Sequence, residues 1–186
     1  MRIIGGEAKG RRLFAPEGTD TRPTADRTRE SLFNILSFRI PDANVLDLFG
    51  GTGALALEAL SRGAAFAGVS DLNANAVRVI TRNAEAVLGS DKSRISIVKG
   101  DYKQALRAFA GKKYDIVFLD PPYRMTEVYA DAVERLLQAE MLNEDAVIVM
   151  EKQKNVKITL SDKMVIYDER IYRDTVISFA ERRREE

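Results

Sequence analysis

The sequence predicts an α/β fold, a doubly wound sheet of seven strands with one reversed, and three observations carry that reading. From residue 45 onward, short apolar runs alternate with longer amphipathic stretches. A glycine-rich turn, Gly50-Gly51-Thr52-Gly53, joins the first apolar run to the stretch that follows it. The last two runs, near Met164–Tyr167 and Thr175–Ala180, have no helix between them. Repeated strand–helix units imply parallel strands with helices on both faces. A closing pair joined by a short loop implies an antiparallel hairpin at one edge.

The elements follow in order. Arg2-Ile3-Ile4 and Arg12-Leu13-Phe14 are short apolar runs separated by Gly5-Gly6 and Gly10, the pattern of a small N-terminal β-hairpin. Pro16, Gly18 and Pro23 break the chain. Thr24 is a candidate N-cap for a helix through about Phe38, with Leu32, Ile35 and Leu36 as its apolar stripe and Pro41 beyond its end. Strands are expected at Val45–Phe49, Phe66–Asp71, Ile95–Val98, Tyr114–Leu119 and Ala146–Met150. Helices are expected at Ala54–Ser61, Asn73–Leu88, Tyr102–Phe109 and Glu127–Ala139. At 186 residues the chain suits a single domain: residues 1–22 as the hairpin extension and 24–186 as the core.

Composition narrows the chemistry. The sequence has no cysteine and no histidine. That removes disulfides, thiolate metal sites, a cysteine nucleophile and the usual proton shuttle near neutral pH, and no metal is expected. The chain is 45% hydrophobic with no apolar run near the length of a membrane span, and no signal peptide is visible, so the expectation is a cytoplasmic protein. The formal net charge is only +1, but the positive charge is uneven: within residues 1–15, Arg2, Lys9, Arg11 and Arg12 face only Glu7, and Arg22, Arg27 and Arg29 follow. Such a face either is solvated or contacts phosphate.

Three segments carry the candidate chemistry. The first is Asp47-Leu48-Phe49-Gly50-Gly51-Thr52-Gly53, after a strand and before a helix. Its glycines permit a tight turn and close approach to a ligand, and Asp71 ends the next strand about 20 residues on, where a carboxylate meets ribose hydroxyls. A dinucleotide would fit the glycines as well, but Asp47 would crowd a pyrophosphate and attract a cationic sulfonium. The second is Gly100-Asp101-Tyr102, where Asp101 can accept from an adenine amino group or simply cap a helix. The third is Asp120-Pro121-Pro122-Tyr123 at the end of the fourth strand. Two prolines fix the backbone, so the Asp120 carboxylate and the Pro121 carbonyl become two acceptors for a planar amine, and Tyr123 can stack on the base that bears it.

On these residues, and on Arg22-Pro23-Thr24-Ala25-Asp26-Arg27-Thr28-Arg29-Glu30-Ser31-Leu32-Phe33-Asn34-Ile35-Leu36 and Arg124, the whole chain resembles the bacterial RsmD-like family of 16S ribosomal RNA guanine-N2 methyltransferases. The resemblance implies a Rossmann-like S-adenosylmethionine methyltransferase fold. It implies a cofactor site at Asp47, Phe49, Gly50, Gly51, Thr52, Gly53, Asp71, Leu72, Asp101 and Tyr102, and an amine site at Asp120, Pro121, Pro122 and Tyr123. It also implies RNA contacts from Arg2, Lys9, Arg11, Arg12, Arg22, Thr24, Arg27 and Arg124. Where this chain has Gly50-Gly51-Thr52-Gly53 the family usually has Ala-Gly-Ser-Gly, and glutamate is common where Asp71 stands. The implied partner is 16S rRNA within a small-subunit ribonucleoprotein particle, and the implied state is a monomer.

The expected reaction is direct transfer of the methyl group to an exocyclic nitrogen aligned within about 3–3.5 Å. Hydrogen bonds to Asp120 and Pro121 expose the lone pair and stabilise the charge that develops. No general base is needed before transfer, so the missing histidine is no obstacle. Three alternatives stay open from the residues alone: an adenine-N6 methyltransferase using the same tetrapeptide, a nicotinamide dehydrogenase sharing the glycine loop, and a catalytically silent RNA-binding factor.

Overall fold

A computed structural model describes residues 1–15, 23–122 and 124–184. The element order is α1 (Pro23–Ile35), β1 (Asn44–Asp47), α2 (Ala54–Ser61), β2 (Phe66–Asp71), α3 (Ala74–Leu88), β3 (Ile95–Lys99), α4 (Tyr102–Ala108), β4 (Tyr114–Leu119), α5 (Val128–Gln138), β5 (Leu142–Gln153), β6 (Met164–Tyr172) and β7 (Thr175–Arg182). The seven strands form one sheet in the order β3-β2-β1-β4-β5-β7-β6. The five strands from β3 to β5 are parallel to their neighbours, while β7 runs antiparallel to both β5 and β6. The expected edge hairpin is thus β6–β7, with the reversed strand second from the edge.

Alternation along the strands divides the core. Val45, Ile116, Phe118, Val147, Val149, Ile177 and Phe179 point to one face, against α1, α2 and α3 and against Ile3 and Leu13 of the N-terminal segment. Leu46, Val117, Leu119, Ile148, Met150 and Ala180 point to the other, against α4 and α5. None of the helices described is long and apolar enough to cross a membrane.

Several element ends differ from the sequence expectation for physical reasons. α1 stops at Ile35 instead of near Phe38, which is 99% exposed. Its buried residues are Leu32 and Phe33, continued by Leu36 just past its end, and Ile35 faces outward. β1 ends at Asp47, since its register with β4 closes at Asp47–Phe118 and Phe49 already belongs to the turn. β5 and β6 outrun their apolar centres. Their charged ends stay in strand geometry: Glu151-Lys152-Gln153 of β5 and Asp168-Glu169-Arg170 of β6 pair with β7, while Asn143-Glu144-Asp145 spans the irregularity in the β4–β5 register. β6 is an edge strand, where charged side chains also discourage pairing with other chains. The N-terminal hairpin is reduced to one antiparallel bridge, Arg2 with Arg12, flanked by Ile3 N–H to Arg11 O at 2.9 Å and Leu13 N–H to Met1 O at 3.1 Å.

Buried polar groups fasten that segment to the core. Glu58 on α2 has no solvent exposure, yet its carboxylate accepts the Ile4 and Gly5 N–H groups, each at 2.8 Å, and Arg62 Nε at 2.8 Å. Arg29 Nε lies 4.0 Å from it. Asn83 on α3 is also fully buried: it accepts the Phe14 N–H at 2.7 Å and donates to Phe14 O at 2.9 Å and to Thr52 O at 2.8 Å.

Candidate active site at the strand carboxyl ends

In open α/β sheets, ligands bind outside the carboxyl ends of the strands where the strand order reverses. Here that point lies between β1 and β4, because β2 and β3 extend one way from β1 while β4 and β5 extend the other. A cleft of about 620 Å³ opens there. Its walls include Asp47 at the end of β1, Phe49, Gly50, Gly51 and Thr52 after it, Asp120 after β4 and Glu151 on β5. Thr28, Arg29 and Leu32 of α1, Met1, and the β6–β7 turn from Tyr172 to Thr175 complete it.

The glycine loop is shaped by close approach. Gly50 donates to Ser70 O at 2.7 Å, and a side chain there would bring its Cβ to 2.5 Å from Val69 Cγ1. Gly51 has φ +58°, and a Cβ added to it would meet nothing within 4 Å, so its backbone faces open space. Asp71 braces the loop: one carboxylate oxygen accepts Gly51 N–H at 2.9 Å and the other accepts Asn73 N–H at 2.8 Å. Each oxygen keeps a further lone pair for an outside donor. Such an open backbone cradle beside a half-satisfied carboxylate fits a nucleoside with two ribose hydroxyls.

The electrostatics of the cleft are acidic. Asp47 is 1% exposed, and burial pushes its carboxyl pKa up to about 7; the Phe49 N–H at 3.3 Å opposes the rise and the charge on Asp71 adds to it. Asp120 keeps part of its surface open to water at the cleft, yet the protein around it, then the charge of Glu151 and then that of Asp47, hold its pKa well above the ordinary carboxylate range. Glu151 is half-buried and also raised, by burial.

The structure gathers Asp47, Phe49, Gly50, Gly51, Thr52 and Asp120 around one space. Gly53, with φ +78°, starts α2 just behind it. Asp71 reaches the space through Gly51, and Leu72 beside it is 68% exposed. Asp101 forms a capping box with Gln104 at the start of α4, and Tyr102 is buried with its hydroxyl donating to Asp131 at 2.6 Å. These two stand away from the residues that line the cleft. Pro121 is buried, while Pro122 is exposed and accepts Met125 N–H at 3.0 Å.

Of the expected RNA contacts, Arg2, Lys9, Arg11, Arg12, Arg27 and Arg124 are exposed. Arg22, Tyr123 and the side chain of Thr24 lie outside the described residues. One expectation is corrected: Arg29 is not a surface phosphate contact. It is 7% exposed and donates to Arg2 O at 2.6 Å and to Asp26 at 3.1 Å, so its charge secures the N-terminal segment. Glu151 is the site residue that sequence reasoning missed. It carries the same signal as Asp47, Asp71 and Asp120, an acid at the carboxyl-end side of an apolar strand.

Comparison with known proteins is consistent along the chain. The family model described as "Conserved hypothetical protein 95" matches residues 1–181. The chain is 38% identical over 153 residues to "Ribosomal RNA small subunit methyltransferase D" of Escherichia coli strain K12, covering 82% of this chain and 75% of that protein. It is 35% identical over 160 residues to YlbH of Bacillus subtilis strain 168, provisionally named an rRNA methyltransferase, covering 85% of each. The solved structure of yhhF of Escherichia coli, provisionally named a methyltransferase, superposes with a TM-score of 0.85 at 32% identity, covering 100% of this chain and 99% of that one.

Proposed function

Because the chain belongs to the Conserved hypothetical protein 95 family, we propose that it is an S-adenosylmethionine-dependent methyltransferase that modifies the exocyclic N2 of a specific guanine in 16S ribosomal RNA. One observation carries the reading: Asp120 stands in the same cleft as the glycine loop and Asp47, so an amine acceptor and a nucleoside cradle face one another. The relatives named as rRNA methyltransferases support the substrate class.

The cofactor supplies an electrophilic methyl carbon on a sulfonium, and the rest is done by the chain. Asp71 is the acceptor for ribose hydroxyls. Ionised Asp47 favours a cation over a pyrophosphate. Asp120 and the Pro121 carbonyl take the two N–H groups of the target amine, and Tyr123 stacks on the guanine. Arg2, Lys9, Arg11, Arg12, Arg22, Thr24, Arg27 and Arg124 contact the RNA backbone, and the target is presented by a folded small-subunit particle. Asp101, beyond the cleft and beside its capping bond to Gln104, accepts from the adenine amino group, with Tyr102 next to it.

The deciding experiment incubates the protein with tritiated S-adenosylmethionine and either free 16S rRNA or small-subunit particles, then digests the RNA to nucleosides. Label in N2-methylguanosine is the expected result. Label in N6-methyladenosine would replace the guanine assignment, and no label in either substrate would remove the RNA reading.

A further inference from the structure

We propose that Glu151, on the strand next to Asp120, is a catalytic residue that receives the proton released by the target amine. The proposal deepens the methylation reading above and rests on it.

The placement comes from the sheet. β4 and β5 are parallel, with Leu119 opposite Met150, so the next residue on each chain, Asp120 and Glu151, lies at the same level at the carboxyl end. Both line the cleft with Asp47. Glu151 is held there by its backbone: its carbonyl accepts the Tyr129 hydroxyl at 2.5 Å, and the residue pairs with Ile177 on β7. Its side chain is therefore free to serve the cleft without being needed to hold the strand.

The chemistry requires an acceptor, and few are present. As the amine nitrogen uses its lone pair to bond the methyl carbon, the carbon–sulfur bond breaks and its electron pair remains on sulfur. The nitrogen is left positively charged. One N–H bond then breaks, its electron pair returns to nitrogen, and the proton joins a carboxylate oxygen of Glu151. Among the described residues lining the cleft, the charged side chains are Arg29 from α1, Asp47 at the end of β1, Asp120 after β4, Glu151 on β5, and Arg173 and Asp174 from the β6–β7 turn. The two arginines cannot take a proton. Asp120 is committed to the amine, Asp47 is 1% exposed and is placed for the cationic sulfur of the cofactor, and Asp174 is exposed on the β6–β7 turn with Arg173. Among the described residues no group of acids is arranged to hold a metal ion, so the acidic cluster does not read as a cation site. The charge of Glu151 also lies beside the nitrogen as it becomes positive, where an ordered anion lowers the barrier.

The test is single-turnover methyl transfer to 16S rRNA by the parent protein, Glu151→Gln and Glu151→Asp, followed across pH. Glu151→Gln should be slower by about 10²-fold, at the lower end of general acid–base contributions, with Glu151→Asp recovering part of the rate. The acid limb of the rate profile should move to lower pH in Glu151→Gln, because the carboxylate that must be ionised to accept the proton is gone. Calorimetric affinity for S-adenosylmethionine should match the parent, which shows that the fold is intact. A slower Glu151→Gln whose acid limb stays in place assigns Glu151 a structural role and overturns the proposal. A Glu151→Gln that matches the parent in both rate and profile also overturns it, and leaves the methylation reading standing. A parent protein that transfers no methyl to RNA overturns that reading, and the role of Glu151 with it.

Discussion

Asp71 and Gly51 are joined across 20 positions of sequence by a 2.9 Å hydrogen bond from the glycine N–H to a carboxylate oxygen. The carboxylate that would receive ribose hydroxyls therefore also sets the shape of the glycine loop. Asp71→Ala removes both functions and should weaken S-adenosylmethionine binding by about 1–3 kcal/mol or slightly more, the cost of leaving donors unpaired. Asp71→Asn keeps an acceptor for Gly51 and should fall between parent and alanine. Isothermal calorimetry measures both, and an unchanged affinity for Asp71→Ala takes Asp71 out of the site.

Asp47 gives a pH dependence with a definite sign. Its pKa of about 7 in the free protein means that it ionises as pH rises through neutrality. A cation binds the ionised form better, so the affinity for S-adenosylmethionine should increase between roughly pH 6 and 8, with proton release on binding. S-adenosylhomocysteine, whose sulfur is neutral, should show a much weaker trend. Asp47→Asn should flatten the profile for the cationic ligand; identical profiles for the two ligands in the parent would detach Asp47 from the sulfonium.

The roles proposed for Asp120 and Tyr123 are separable by mutation. Asp120→Ala should lower the single-turnover rate on the order of 10²–10³-fold with little change in cofactor affinity, as for loss of one preorganised transition-state hydrogen bond. Tyr123→Phe should be tolerated, while Tyr123→Ala should lose about 1–3 kcal/mol of base stacking. Equal damage from the two tyrosine variants would assign the role to the hydroxyl group.

For the basic segment, Arg11→Ala combined with Arg12→Ala should weaken RNA binding and flatten its dependence on salt. Both side chains are exposed, so the fold and the cofactor site should be untouched. Filter binding over a salt series checks this, and a slope equal to that of the parent would mark the two arginines as merely solvated.

Glu58 is a stability position. It is fully buried and carries two backbone N–H groups together with Arg62. Glu58→Ala should cost about 3–5 kcal/mol, as in other cases where one partner of a buried ion pair is removed. Urea denaturation measures it. A loss below about 1 kcal/mol, the range of exposed ion pairs, would show that the N-terminal segment is held by its apolar contacts instead.

Much of the fold was legible because it follows from periodicity. The limits of α2, β2 and β4 match the expectation residue for residue, since each is a compact apolar run closed by turn residues on both sides. β5 and β6 run past their apolar centres because Glu151-Lys152-Gln153 and Asp168-Glu169-Arg170 stay in strand geometry by pairing with β7, which no local pattern reveals. Asp47, Phe49, Gly50, Gly51, Thr52 and Asp120 were legible because each lies at or just beyond the carboxyl end of a strand. Glu58, Asn83 and the true role of Arg29 were not. Their partners lie 27 or more positions away in several cases, as with Arg29 and Arg2 or Asn83 and Phe14, so the signal exists only once the chain is folded.

The position of β7 has a consequence for biosynthesis. It is the last strand in sequence, but in space it is inserted between β5 and β6, and it supplies the buried Ile177 and Phe179. During translation the sheet has no means of joining β6 to β5 until residues 175–182 leave the ribosome. A chain stalled before that point displays an unpaired β5 edge and an uncovered apolar face, both of which invite aggregation. Premature termination before or within residues 175–182 should therefore cost solubility.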